Sequence, residues 1–101
     1  MARILVACAN GAGTSMMMKM TAEKVTKELG MHVSKLHHCS LSEGVSTATR
    51  FDIVFAPLNF VKMYDNAAKK GVTIIGLKNV LSKKEMSDKL IETGMAEKFK
   101  N

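Results

Sequence analysis

The stretch ILVACANGAGTSMMM, residues 4–18, decides the fold of this chain. It runs from a short apolar segment into a cysteine, two glycines, a Thr-Ser pair and three methionines. The apolar run at residues 3–7 is typical of a strand buried on both faces, and the apolar spacing over residues 15–29 predicts a helix. The stretch therefore predicts a strand, a glycine-rich connection that contains Cys8, and a helix, which is the opening unit of a parallel α/β sheet.

The rest of the chain continues the alternation of strand and helix. The other predicted elements are strands at 31–39, 52–56 and 72–77, and helices after Ser40, at 60–69 and after Ser82. This order predicts an α/β fold over residues 1–101 as a single domain: a four-stranded parallel sheet, doubly wound in the order 2-1-3-4, with helices on both faces, as in Rossmann-like or flavodoxin-like three-layer sandwiches. Ligands of such sheets bind beyond the carboxyl ends of the strands, beside strand 1, where Cys8 lies.

The amino-acid composition and net charge limit the classes of function that the chain can have. Two cysteines are too few for a disulfide scaffold, and the apolar run before Asn10 is too short for a secretory signal, so we expect a cytoplasmic protein. The net charge of +6 fits an acidic partner, a phosphate-bearing ligand, a membrane surface, or a basic surface kept for solubility. Nucleic acid is not an expected partner, because the basic residues are spread along the chain and only 5% of residues are aromatic.

The connection between the first strand and helix has the chemistry of an anion-binding loop. Gly11 and Gly13 allow the backbone to turn its N–H groups inward, and the helix adds free N–H groups and the positive end of its dipole. The candidate phosphate-binding residues are Ala9, Asn10, Gly11, Ala12, Gly13, Thr14 and Ser15, of which Ser15 is also a candidate helix cap. The same field stabilises a thiolate, so Cys8 is the candidate catalytic nucleophile, and no metal or cofactor is expected.

Other cysteine and glycine motifs fit this loop less well. A Walker A loop needs a Gly-Lys pair, which the chain lacks, and a dinucleotide fingerprint needs a glycine where Met16 stands. A cysteine phosphatase loop has the same length, but Thr14 occupies the position of its phosphate-binding arginine, and Ala56 precedes Pro57 where such enzymes often have an aspartate. The loop is therefore suited to form a phosphocysteine and poorly suited to hydrolyse it, which indicates a phosphoryl carrier.

Two segments resemble the IIB component of the bacterial phosphotransferase systems for sugar uptake. They are ILVACANGAGTSMMMKM at residues 4–20 and GLKNVLSKKEMSDKLIE at residues 76–92, and they are most similar to the L-ascorbate branch, close to the galactitol branch. Some loops of this family have glycine after the cysteine, where this chain has Ala9.

The resemblance implies a set of partners for Cys8. A histidine of a IIA protein would donate the phosphoryl group to Cys8, and the group would pass to a carbohydrate, here L-ascorbate, as the membrane IIC permease imports it. The protein would lie at the inner face of the membrane through IIC. Two alternatives stay open: an enzyme like the low-molecular-weight cysteine phosphatases, and a non-catalytic regulator that senses phosphorylation.

The methionines of the first helix allow two interpretations. Met18 falls on the apolar face and is expected in the core. Met16, Met17 and Met20 either fill the core or form a surface that binds the partners, since methionine suits both environments.

The second cysteine and its histidine neighbours also allow two interpretations. Cys39 either forms an oxidation-sensitive pair with Cys8 or is an inert residue at the end of a strand, and free cysteines are more often buried and inert. His37, His38 and Cys39 are not expected to bind a metal together, because neighbours along a strand point to opposite faces.

Overall fold

The computed structural model describes residues 2–8 and 11–100, with the backbone alone for residues 11–15. Its four strands are β1 (Ala2–Cys8), β2 (Val33–Ser40), β3 (Ile53–Pro57) and β4 (Thr73–Leu77). All neighbouring strands pair in parallel, and their spatial order is β2-β1-β3-β4. This is the sheet that the sequence predicts, with β1 in the interior.

Helices lie between successive strands and after the last one. They are α1 (Gly11–Glu28), α2 (Leu41–Thr47), α3 (Asp65–Lys69), α4 (Lys83–Glu92) and α5 (Met95–Lys98), with 3-10 turns at Ala48–Arg50 and Leu58–Tyr64. Ser40 and Ser82 each accept a hydrogen bond at a helix start, from the N–H groups of Glu43 and Glu85, as the capping boxes predict. Gly94, at φ 78°, separates α4 from α5. No described helix combines the length and hydropathy that crossing a bilayer requires.

Helix α1 begins earlier than the apolar spacing predicts. It starts at Gly11 instead of residue 15, so the predicted loop residues 11–15 are its first turns. Glycine is a poor helix former, but strand-to-helix connections in parallel sheets are short, and packing against a sheet overrides a weak local propensity. The connection to β1 is therefore shorter than the sequence suggested.

Alternation along β1 divides the core into two layers. Ile4, Val6 and Cys8 belong to the layer under α1 and α4, which contains Met18, Met86 and Leu90. Leu5 and Ala7 belong to the opposite layer, which contains Cys39, Leu41, Tyr64 and Ala67. Met18 is completely buried, as predicted, and the two cysteines lie in different layers.

Candidate functional site

Cys8 lies at the carboxyl end of an interior strand. It is the last residue of β1, and its register partner is Ser40 at the end of β2. Strand β3 flanks β1 on the other side. This is the edge of the sheet beside strand 1 at which the sequence placed the site, and it is where ligands of doubly wound sheets bind.

The N-terminus of α1 adjoins this cysteine. Ala9 and Asn10, two of the predicted phosphate-binding residues, lie outside the described part of the chain, as do the side chains of Thr14 and Ser15. Gly11, Ala12, Gly13, Thr14 and Ser15 form the start of α1, so Ser15 is not its N-cap. The first four N–H groups of a helix have no partner within it, and the helix dipole adds positive potential there. The start of α1, three residues after Cys8, therefore favours negative charge.

The Cys8 residue is 3% exposed. It lies in the same buried cluster as Ile4, Val6 and Met18. Alternation along β1 turns Cys8 inward, under α1. The site is thus an enclosed thiol at the rim of the sheet rather than an exposed one.

Cys39 lies on the other face of the sheet. It pairs in register with Ala7, the neighbour of Cys8, and both cysteines are free thiols. Successive side chains of a strand point to opposite faces, so the sheet separates the two sulfur atoms. Burial, with a smaller effect of the nearby Glu43 carboxylate, raises the pKa of the Cys39 thiol to about 11. This arrangement favours the inert strand-end interpretation over a redox pair.

Gly44 and Tyr64 enclose Cys39. A Cβ atom at Gly44 would lie 2.6 Å from the Tyr64 hydroxyl oxygen and 3.3 Å from the Cys39 Sγ atom. The Tyr64 hydroxyl donates a hydrogen bond of 3.0 Å to the Leu41 carbonyl. Burial, and then the proximity of Cys39, raises the pKa of Tyr64 to about 12. The sequence pattern gives no sign that α2 needs Gly44 to approach the sheet.

Three methionines of α1 form an exposed apolar surface with a residue from the β4–α4 connection. Met16, Met17 and Met20 are 45%, 54% and 51% exposed, and Leu81 is 37% exposed. A groove of about 240 Å³ runs between Met17, Met20 and Leu81, with Thr21 and Lys24 at its sides. We call Met16, Met17, Met20 and Leu81 the methionine surface. The sequence indicated the methionines, but Leu81 joins them only through the fold.

Hydrogen bonds fix the connection that carries Leu81. The Glu85 carboxylate accepts bonds from the Lys78 and Asn79 N–H groups at 2.7 and 2.8 Å. The Asn79 side-chain oxygen accepts a further bond from the Leu81 N–H at 3.0 Å. Burial alone would raise the pKa of Glu85, but the two N–H donors, with Lys89 and Lys78, lower it. The charged carboxylate thus holds one wall of the groove in place.

More apolar side chains border the same edge after β3. Leu58 and Phe60, in the 3-10 turn that follows Pro57, are 45% and 39% exposed. Gly76 of β4 lets this turn pack closely, since a Cβ there would lie 2.7 Å from the Leu58 Cδ1 atom. Exposed apolar groups therefore lie on connections from both β3 and β4.

The described residues offer no metal centre: among them, no three His, Cys, Asp or Glu side chains are grouped as a metal ion would require. His37 and His38 occupy successive positions of β2, and their ring centroids are 6.2 Å apart.

Comparisons with known proteins match nearly the whole chain. The family model for the PTS system, lactose/cellobiose specific IIB subunit, matches residues 3–92. The chain is 31% identical over 87 residues to the ascorbate-specific PTS system EIIB component of Mycoplasma pneumoniae, covering 86% of this chain and 88% of that protein. It is 30% identical over 90 residues to the protein of the same description from Escherichia coli O157:H7, covering 89% of this chain and 86% of that protein.

Proposed function

Because the chain belongs to the IIB subunit family of the sugar phosphotransferase systems, we propose that it carries a phosphoryl group on Cys8. The observation that supports this most directly is the position of Cys8, at the carboxyl end of β1 and just before the N-terminus of α1. A free helix N-terminus stabilises both a thiolate and a phosphate. Cys39 also precedes a helix, α2, but Ser40 caps that helix and the nearby Glu43 carboxylate opposes a thiolate there.

The proposed chemistry has two transfers. The Cys8 thiolate attacks the phosphorus of a phosphohistidine in line, so that an S–P bond forms and the P–N bond breaks, leaving the electron pair on the histidine nitrogen. A hydroxyl of the sugar then attacks the same phosphorus, its proton is lost, and the S–P bond breaks to restore the thiolate. The protein's task in such transfers is to position the group and stabilise its charge.

The phosphate-binding role falls to Ala9, Asn10, Gly11, Ala12, Gly13, Thr14 and Ser15. Backbone N–H groups of this segment would hold the three phosphoryl oxygens, with the hydroxyl groups of Thr14 and Ser15 as further donors. Thr14 replaces the arginine that a phosphatase of this loop length uses against the developing charge. A carrier benefits from that replacement, because slow hydrolysis keeps the phosphoryl group available for the sugar.

The methionine surface is the proposed docking area for the IIA phosphodonor. It extends along α1 from the helix end beside Cys8, and it includes the groove of about 240 Å³. Met side chains adapt to different partner surfaces, and Lys24 at the groove adds positive charge. The IIC permease would approach Cys8 after IIA leaves, which places the protein in the cytoplasm at the inner face of the membrane.

L-ascorbate is the proposed sugar substrate. The relatives from M. pneumoniae and E. coli O157:H7 are described as ascorbate-specific, at 31% and 30% identity. The matching family model is described as lactose/cellobiose specific, so a disaccharide of that kind is the second candidate.

Mass spectrometry of the intact chain tests the carrier role. After incubation with phosphoenolpyruvate, the general phosphotransferase proteins and the cognate IIA, we expect one phosphoryl group, located on Cys8 by peptide mapping. The Cys8→Ser variant is expected to stay folded and unlabelled, and Cys39→Ser is the matched control that retains the label. A label that persists in Cys8→Ser would refute the assignment.

The same preparation tests the substrate and the phosphatase alternative. With IIC membranes and L-ascorbate, the label is expected to move to the sugar; transfer to cellobiose or lactose instead would replace the ascorbate proposal. Release of inorganic phosphate without any sugar, at rates comparable to transfer, would show a phosphatase.

A further inference from the structure

A basic region lies toward the opposite end of β1 from Cys8, on the face of the sheet that contains Cys39. It is a cleft of about 450 Å³ lined by Arg3, Lys35, His37, Thr47, Arg50 and Phe51. Arg3 and Lys35 are register partners on β1 and β2, and Arg50 comes from the 3-10 turn after α2. Arg3 precedes Cys8 by five residues of β1, so its Cα atom lies about 16 Å from that of Cys8, toward the other end of the strand.

Positive charge dominates this cleft. None of its lining residues is acidic, and within the described ranges neither Lys35 nor Arg50 forms an ion pair. The Asp52 carboxylate accepts a hydrogen bond of 2.9 Å from the Arg3 N–H and lies 3.5 Å from Arg3 Nε. This ion pair offsets much of the charge of Arg3, so Lys35 and Arg50 supply the net positive charge of the cleft. Lys35 and Arg50 share one concavity, and a bound anion would reduce their mutual repulsion.

Stacked aromatic rings fix part of the lining of the cleft. The rings of His37 and Phe51 are stacked, with centroids 6.3 Å apart and planes inclined by 13°. The Lys35 Nζ atom lies 5.7 Å from the centroid of the Phe51 ring. Phe51 is itself buried, and its N–H donates to the Ala48 carbonyl at 3.0 Å. The Lys35 ammonium and His37 imidazole are therefore oriented before any ligand arrives, which lowers the entropy lost on binding.

We propose that this cleft binds a small phosphate monoester, at a site separate from Cys8. Its volume falls within the range of small-molecule pockets, whereas an acidic protein surface would need a broader face. Arg3 and Arg50 present planar guanidinium groups, which match phosphate oxygens in a bidentate manner. Because the cleft and Cys8 lie at different ends of β1, occupancy of one leaves the other open. The site is independent of the carrier function proposed for Cys8.

An NMR titration of the 15N-labelled chain tests the site. The probes are inorganic phosphate and glucose 6-phosphate, each compared with sodium chloride at the same ionic strength. We expect saturable shifts of the amide signals of Lys35, His37, Arg50 and Phe51, with the sugar phosphate binding at least as tightly as inorganic phosphate. Signals near Cys8 report separately on the loop, so a failure of the cleft site and a failure of the carrier proposal are distinguishable.

Two variants and a control define the outcome. Arg50→Gln and Lys35→Gln are each expected to weaken binding at the cleft at least fivefold, whereas Lys69→Gln, an exposed lysine on α3 outside the cleft, leaves it unchanged. Cleft signals that respond equally to chloride, or affinities unchanged in both variants, would overturn the proposal. Tighter binding of poly-glutamate than of either phosphate at these residues would also overturn it, in favour of an acidic protein partner.

Discussion

The two cysteines of this chain lie close together in the sheet but have different surroundings. Cys8 ends β1, and Cys39 sits one register position earlier on the adjacent β2. Both are nearly buried, at 3% and 6% exposure. Cys8, however, faces the layer under α1 and precedes the start of that helix, whereas Cys39 faces Tyr64 and Gly44 across the sheet and precedes α2, which is capped by Ser40 and has the Glu43 carboxylate in its first turn. Neither burial nor a following helix therefore separates a nucleophile from a packing residue; the cap and the charges at that helix end do.

The largest expected contrast is in phosphoryl transfer. Cys8→Ala removes the proposed nucleophile and is expected to lower the rate of transfer from phospho-IIA by at least about a thousandfold, since no other described side chain replaces it. Cys39→Ala is expected to change that rate less than twofold. Radiolabel transfer under single-turnover conditions measures both. Similar losses in the two variants would remove the distinction between the two thiols.

The next effect concerns the packing around Cys39. Gly44→Ala places a methyl group 2.6 Å from the Tyr64 hydroxyl oxygen and 3.3 Å from the Ala7 Cβ and Cys39 Sγ atoms. Even after the better helix propensity of alanine, we expect a loss of about 2 kcal/mol in the free energy of unfolding, because the core is overpacked. Urea denaturation measures it, with Ser42→Ala in the same helix as the matched control. A loss no greater than that of the control would mean that α2 shifts freely.

The sequence predicted the sheet that holds the two cysteines, but not the contacts that surround them. Alternating strands and helices were sufficient for the order β2-β1-β3-β4 and for placing Cys8 at the ligand-binding edge, because chain connectivity and strand twist leave few topologies. The start of α1 at Gly11 was missed because packing on the sheet outweighs the poor helix propensity of glycine.

The sequence pattern does not predict contacts between segments that are far apart along the chain. Leu81 reaches the α1 methionines only because Glu85 and Asn79 hold the β4–α4 connection. The need for Gly44 likewise depends on how closely α2 approaches Tyr64, which belongs to a later turn of the chain. Such requirements arise from the assembled layers, and local periodicity does not encode them.

A smaller effect should appear in the pH dependence of stability. The pKa of Cys39 is raised to about 11, above its value of 9.0 in an exposed chain, so the unfolded state loses the thiol proton first as the pH rises. Stability therefore falls with increasing pH, and between pH 8 and pH 10 this group accounts for about 1 kcal/mol of the loss. Tyr64, with a pKa of about 12, adds to the loss in the same direction at higher pH.

Urea titrations of the wild type and Cys39→Ala at pH 8, 9 and 10 check this prediction. Cys39→Ala is expected to lose about 1 kcal/mol less than the wild type over that interval. Cys8→Ala serves as the comparison at the other cysteine. Parallel pH profiles for the wild type and Cys39→Ala would contradict the raised pKa of the thiol.

The smallest expected effect concerns the methionine surface as the docking area for the phosphodonor of Cys8. Met17→Lys places an ammonium group in an apolar contact area, where docking must remove its water, so we expect transfer from phospho-IIA to slow three- to tenfold. Met17 is 54% exposed, and the free energy of unfolding should change by less than about 0.5 kcal/mol. Ile91→Lys is the matched control, because Ile91 is 58% exposed on α4 and does not line the groove.

A neutral variant separates the loss of apolar contact from the added charge at this surface. Met17→Gln removes most of the apolar contact without a cation, and we expect it to slow transfer at least threefold at low and high salt alike, since salt screens charges but not apolar contacts. Equal slowing by Met17→Lys and Ile91→Lys would indicate a general effect of added charge. Unchanged rates in both Met17 variants would contradict docking at the methionine surface. The docking area would then lie elsewhere along this edge, for example at Leu58 and Phe60, whose exposed side chains follow β3 next to β1.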